Sequence, residues 1–256
     1  MNQNLHISLI QTDLVWENPQ ANIINFGEKI NNTPNTTDLV ILPEMFNSGF
    51  SMHFSETNPS ESLAWLSKFS STKQTSIFGS LAIAENGKNY NRGYFVKPNG
   101  EQYFYDKKHL FKYGKEHETY TAGTEILTVE YKNWKIRPLI CYDLRFPVWS
   151  RNTAPFYDLL IYVASWPMAR IEAWRTLLRA RAIENQCYVV GVNRIGIDGN
   201  NLIYNGQSLV IDYTGEVLCD AEENDTILSV ELSFENLQNF RTRFPFLSDG
   251  DSFELR

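Results

Sequence analysis

Short apolar runs rich in β-branched residues recur along the chain, at residues 6–10, 39–42, 76–83, 136–141, 159–163, 188–192, 208–211 and 226–230. Several are continuous rather than alternating, the pattern of strands covered on both faces. Stretches with helical spacing lie between them. Asn18-Pro19 opens one whose apolar side carries Ile23, Ile24, Phe26, Gly27 and Ile30, and residues 60–69 form another with Leu63, Leu66 and Phe69. The best-marked helix spans residues 170–186 and sets Ala173, Trp174, Leu177, Leu178, Ala182 and Ile183 among charges. Strands alternating with helices predict an α/β sheet protein. Residues 90–131 read as hairpins, with Pro98-Asn99-Gly100 turning between two aromatic-rich strands, and Asp212-Tyr213-Thr214-Gly215 marks a second turn. No repeat, low-complexity segment or linker divides the chain, so residues 1–256 are expected to form one domain.

The 256 residues are 43% hydrophobic and 21% charged, enough for a packed core. A formal charge of −7 argues against a general nucleic-acid binder, because such affinity rests on neutralising phosphates. The one basic run, Lys107-Lys108-His109 with Lys112 and Lys115, is too short to reverse that balance. No segment approaches the ~20 apolar residues of a membrane helix, so no membrane partner is expected. The N-terminal stretch MNQNLHISLIQTDL has neither a basic leader nor a small-residue cleavage site and reads as no signal peptide. Cys141, Cys187 and Cys219 lie far apart and form no disulfide framework, which favours a reduced, cytoplasmic setting. His6, His53, His109 and His117 lack paired ligand spacing, and residues 191–196 lack the lysine and serine of a phosphate loop. Neither a metal nor a cofactor is therefore expected.

Three segments place polar residues at the ends of apolar strands, where ligands bind in open α/β sheets. Leu39-Val40-Ile41-Leu42-Pro43-Glu44 delivers a carboxylate, Tyr105-Asp106-Lys107-Lys108-His109-Leu110-Phe111 an ammonium, and Leu139-Ile140-Cys141-Tyr142-Asp143-Leu144-Arg145-Phe146-Pro147 a thiol followed by two charges. Cys187 and Cys219, in or beside apolar strands, read as packing residues. An amide carbonyl is a poor electrophile, so its hydrolysis needs a strong nucleophile, a proton acceptor and a stabilised oxyanion. A thiol, a carboxylate and an ammonium supply that set: the ammonium favours the thiolate, and the carboxylate can take the thiol proton.

Together the segments resemble the signatures of the nitrilase superfamily, the carbon–nitrogen hydrolases, in the family's order and over nearly the whole chain. Supporting marks are Arg179-Ala180-Arg181-Ala182-Ile183-Glu184-Asn185 and Gly191-Val192-Asn193-Arg194-Ile195-Gly196. The C-Y-D-L-R-F-P form, with Ala164-Ser165-Trp166-Pro167 downstream, is most similar to the omega-amidase branch, which acts on ω-amides of α-keto dicarboxylic acids. The resemblance implies a four-layer α-β-β-α sandwich, a homodimer, Cys141 as nucleophile, Glu44 as base and Lys107, rather than Lys108, as the oxyanion's ammonium. It also implies Glu116, rather than Glu118, as a further acid, and Arg145 as the grip on a substrate carboxylate, the alternative being a structural arginine paired with Asp143 or a backbone carbonyl. The Tyr142 backbone N–H, directly after the nucleophile, would be the second oxyanion donor, and Trp166 either walls the substrate pocket or packs in the core. Competing readings are a related amidase for N-carbamoyl or aliphatic amides, a thiol hydrolase pairing Cys141 with His109, and a non-catalytic module of the same fold.

Overall fold

The computed structural model describes residues 4–57 and 60–254, so residues 1–3 of the N-terminal stretch read above lie outside them. In chain order the elements are β1 (Leu5–Gln11), α1 (Pro19–Asn31), β2 (Leu39–Ile41), β3 (Glu56–Thr57), α2 (Glu61–Lys73), β4 (Ser76–Glu85), β5 (Lys88–Val96), β6 (Gln102–Asp106) and α3 (Glu116–Thr119). There follow β7 (Val129–Tyr131), β8 (Trp134–Ile140), α4 (Pro147–Ser150), β9 (Leu159–Ala164), α5 (Ile171–Asn185) and β10 (Tyr188–Asn193). The chain closes with β11 (Ile195–Ile197), β12 (Ile203–Asn205), β13 (Leu209–Ile211), β14 (Val217–Asp220), β15 (Thr226–Leu232) and α6 (Phe234–Arg243). One sheet runs β15-β1-β2-β4-β5-β6 with β3 on β4, and the other runs β14-β13-β10-β9-β8-β7.

Alternation within single strands sorts the layers. Leu39 and Ile41 of β2 face the second sheet and share one core with Phe78, Phe95, Ile136 and Leu139. Val40, Leu42, Ile77 and Leu81 point the other way, onto Phe26 and Ile30 of α1 and Leu66 of α2. On the far side of the second sheet, α5 contributes Trp174, Leu178 and Ala182. The result is a four-layer α-β-β-α sandwich. The helices α1 and α2 start where side chains cap them: Asn18 Oδ1 accepts from the Ala21 N–H at 3.1 Å ahead of Pro19, and Ser60 Oγ accepts from the Leu63 N–H at 3.0 Å.

Two positions assigned to apolar helix faces lie in solvent instead. Ile24 is 54% exposed, because the buried stripe of α1 runs through Asn22, Phe26 and Ile30 and Ile24 stands about half a turn away. Ile183 is 50% exposed and lies over the turn that ends at Gly215. α6 sets Phe234, Leu237 and Phe240 at helical spacing; Leu237 joins the core and Phe234 packs edge-on to Trp134 at 5.4 Å.

The strands that matter for function are parallel: β1, β2 and β4 in one sheet, and β8, β9 and β10 in the other. Their carboxyl ends carry Glu44, Cys141, Ser165 and Asn193, so the topology gathers them at one edge of the sandwich. Close approach of α5 to β10 depends on Gly191, where an added Cβ would stand 2.4 Å from Leu178 Cδ1 and 2.7 Å from Trp174 Cζ2. Gly191→Ala is expected to cost ~1–3 kcal/mol through overpacking. Thermal unfolding checks this: a fall of several degrees in Tm is expected, and an unchanged Tm would mean that α5 is not held by this contact.

Candidate active site

Each reacting side chain sits where a strand stops abruptly. Cys141 follows β8 with φ +45°, a strained left-handed conformation for a non-glycine residue, and opens a tight turn through Arg145. Met45, directly after Glu44, is similarly strained at φ +44°. Such backbone persists only where neighbours over-determine it. At Cys141 the fixing group is the buried Asp143 carboxylate. It accepts from the Ile140 N–H at 3.1 Å, the Tyr105 hydroxyl at 2.7 Å and the His109 N–H at 2.9 Å, and it pairs with His109 Nδ1 at 2.8 Å.

Behind the thiol lies a fully buried charge cluster. Lys107 Nζ donates to Glu44 Oε1 at 2.8 Å and to both oxygens of Glu116, at 3.0 and 2.9 Å. Glu44 Oε1 also accepts from Asn91 Nδ2 at 2.8 Å, and its Oε2 accepts from the Ser165 N–H at 2.8 Å. Glu116 accepts from Asn91 Nδ2 at 3.0 Å and from the Phe111 N–H at 2.6 Å. Lys107, Glu44 and Glu116 are all inaccessible to solvent. The adjacent Lys108 is only partly buried and lies over the Trp149 ring, and Glu118 is exposed. The register expected for the lysine and the acid is therefore the one that the fold brings together.

Two carboxylates surround one ammonium, and the pKa directions follow. Burial opposes the charge on Lys107, but Glu116 and Glu44 outweigh it and hold the ammonium above its ordinary range. Glu116 is pushed up, first by burial, with Lys107 pulling it down and Glu44 pushing it up. The Cys141 thiol is raised well above its usual value, first by burial and then by the negative Glu44, with Lys107 in partial opposition. The lysine alone was expected to favour a thiolate. In this setting the ammonium is already engaged by two acids, so it offsets only part of what burial and Glu44 impose on the thiol. Cys187 is buried and its thiol is pushed up to about 12 by that burial, so it takes the expected packing role.

Cys141 opens onto a cavity of about 520 Å³. Tyr142, Arg145 and Trp166, all expected at the site, line it as well. Trp166 is 3% exposed and anchored, its N–H donating to Asn193 Oδ1 and its Nε1 to the Arg170 carbonyl, both at 2.8 Å. The Arg145 guanidinium lies 4.9 Å above the Trp166 ring. Asp143, its alternative partner from the sequence, is taken up by the four contacts above, and among the described residues the Arg145 guanidinium has neither a hydrogen bond nor an ion pair. A thiol hydrolase using His109 is disfavoured. The His109 ring is stacked on Phe146 at 3.7 Å, its Nδ1 is held by Asp143, and it is not part of the cavity wall.

Asn91, which bridges the two carboxylates, escaped the sequence reading. Nothing sets it apart in a strand that also carries Lys88, Asn89 and Arg92. Among the described residues no group of three or more His, Cys, Asp or Glu side chains could hold a metal ion, and no helix is long and apolar enough to cross a membrane.

The carbon–nitrogen hydrolase family model matches residues 6–242. The chain is 45% identical over 254 residues to "Omega-amidase YafV" of Yersinia enterocolitica, covering 98% of each protein. It is 32% identical over 250 residues to "2-oxoglutaramate amidase" of Bacillus subtilis, covering 95% of this chain and 96% of that protein. Among solved structures, a superfamily member from Xanthomonas campestris with an arsenic adduct in its active site matches with a TM-score of 0.97 at 42% identity, covering 99% of each chain.

The charge cluster makes a signed prediction for the free thiol. Glu44→Gln removes a negative neighbour, so thiolate should appear at lower pH than in the unsubstituted protein, whereas Lys107→Met should move it to higher pH. Ultraviolet thiolate absorbance, taken as a difference from Cys141→Ala, reads the order of the three titrations. The reverse order would contradict the electrostatic account.

Proposed function

The chain belongs to the carbon–nitrogen hydrolase family, and from that premise and the site geometry we propose that it is an omega-amidase. It releases ammonia from the ω-amide of an α-keto dicarboxylic acid monoamide such as 2-oxoglutaramate. The observation that carries this reading is a thiol at the wall of a cavity, with a buried carboxylate–ammonium–carboxylate cluster behind it and, lining the same cavity, an arginine without a hydrogen bond or ion pair among the described residues. The names of the two relatives support the same substrate class.

The steps follow from the proton inventory. Glu44 takes the Cys141 proton as sulfur attacks the amide carbon. The tetrahedral oxyanion is held by the Lys107 ammonium and the Tyr142 N–H, donors typically worth ~3 kcal/mol each. Glu44 returns the proton to the leaving nitrogen, ammonia departs, and a thioester remains on Cys141. Water then attacks the thioester, Glu44 accepts its proton, and collapse of the second oxyanion gives the proton back to sulfur and frees the acid. Glu116 touches no substrate in this scheme; it keeps Lys107 oriented and charged. Arg145, over Trp166, grips the remote carboxylate with two parallel hydrogen bonds.

We read residues 1–256 as one catalytic domain working in the cytoplasm as a homodimer. Val148, Phe246 and Phe253, apolar yet at least 43% exposed, support a covered surface near the C-terminus.

Ammonia release from 2-oxoglutaramate, 2-oxosuccinamate, glutamine, asparagine and N-carbamoyl amino acids tests the reading. The keto-acid amides should lead the series, Cys141→Ala should abolish turnover, and Glu44→Gln or Lys107→Met should lose at least about a hundredfold. Arg145→Ala should cost roughly 30- to 1000-fold in kcat/KM on the keto-acid amide. Preference for N-carbamoyl amino acids, or near-normal turnover after any change to the three catalytic residues, would overturn it.

A further inference from the structure

The cavity carries a second guanidinium that the mechanism leaves unused. Arg170, directly before α5, lines the same cavity as Cys141 and Arg145. Its guanidinium carbon lies 5.2 Å from the centroid of the Phe111 ring, much as Arg145 lies over Trp166. The two platforms are tied into the site. Trp166 donates through Nε1 to the Arg170 carbonyl, and the Phe111 N–H donates to Glu116. Among the described residues the Arg170 guanidinium has no hydrogen bond and no ion pair. A guanidinium held against an aromatic face is partly ordered before its ligand arrives, which lowers the entropic cost of binding.

The charge of the cavity wall points the same way. Its two acids are Glu118 and Asp198, and Asp198 is occupied by the Asn200 N–H at 2.8 Å, the Leu202 N–H at 3.0 Å and the Tyr204 hydroxyl at 2.9 Å. Lys115, Arg145 and Arg170 line the same space. A chain of net charge −7 thus lines this cavity with three cations, two of them guanidinium forks with free donors. One fork matches the two oxygens of a single carboxylate, which leaves an adjacent keto oxygen and the remaining lone pairs to a second donor.

We propose that Arg170 is a second specificity residue, binding the α-keto carboxylate head group together with Arg145 and disfavouring substrates with an α-ammonium. This rests on the keto-acid amide reading above. An ammonium brought beside two guanidiniums meets repulsion that a keto oxygen does not, so the pair selects against glutamine as well as for the keto acid.

The test compares the unsubstituted protein with Arg170→Ala and Arg170→Lys on 2-oxoglutaramate, glutamine and pentanamide, a neutral amide of similar length. Arg170→Ala should lower kcat/KM for 2-oxoglutaramate by about 10- to 100-fold, mainly through KM, with a loss on pentanamide about tenfold smaller. The ratio of 2-oxoglutaramate to glutamine turnover should fall, and Arg170→Lys should recover only part of the loss. Calorimetric binding of 2-oxoglutaramate to Cys141→Ala, with and without Arg170→Ala, provides a readout independent of turnover. If the unsubstituted protein released no ammonia from 2-oxoglutaramate, the proposed function would fall, while tighter binding in the protein that retains Arg170 would still uphold the role of this residue. Equal losses on charged and neutral amides, equal affinities, or no binding to either protein would overturn it.

Discussion

The interaction on which the site depends is the burial of one ammonium between two carboxylates. Lys107, Glu44 and Glu116 have no access to solvent, so one base and two acids share a site that water cannot screen. Such a group is tolerable only when its remaining lone pairs are met by fixed donors. The backbone N–H groups of Ser165 and Phe111 and the amide of Asn91 do this, from the end of β9, the loop after β6 and the interior of β5. Breaking a buried ion pair by removing one partner typically costs ~3–5 kcal/mol, so the cluster organises the fold around the thiol as well as the chemistry.

The same cluster sets the state of the nucleophile. A thiol beside a lone ammonium would ionise easily, but here the ammonium is already engaged and the surroundings are apolar and negative. The strained backbone at Cys141, fixed by Asp143 through Ile140, Tyr105 and His109, keeps the sulfur at the cavity wall. Asp143 and His109, each two residues beyond Cys141 or Lys107 in the signature segments, are thus scaffolding for the turn.

Much of this was legible in the sequence because its signals are local. Continuous apolar runs ending in Glu44 and Cys141 marked strand ends, and Asn18-Pro19 and Ser60 marked helix starts that the side chains do cap. The four layers came from family resemblance and not from periodicity. Contacts between residues distant in the chain were hidden. Asn91 meets Glu44 across 47 positions and Ser165 meets it across 121, and no spacing rule announces either. Arg170 read as the start of a helix, since only the folded chain brings its side chain and Phe111 to one cavity. Ile24 and Ile183 were misassigned because apolar identity alone does not fix which side of a helix is buried. The upward shift of the Cys141 thiol was hidden for a similar reason: the sequence shows Lys107 and the acids beside it, but not that burial outweighs the ammonium.

The central claim is that this cluster turns Cys141 into a transient acyl carrier. Intact-protein mass spectrometry of a rapidly quenched reaction with 2-oxoglutaramate tests it most directly. The account predicts an acyl adduct equal to the substrate less ammonia, mapped to Cys141 and absent from Cys141→Ala. Turnover with no adduct at any quench time, or an adduct on Cys187 or Cys219 with Cys141 unmodified, would contradict it.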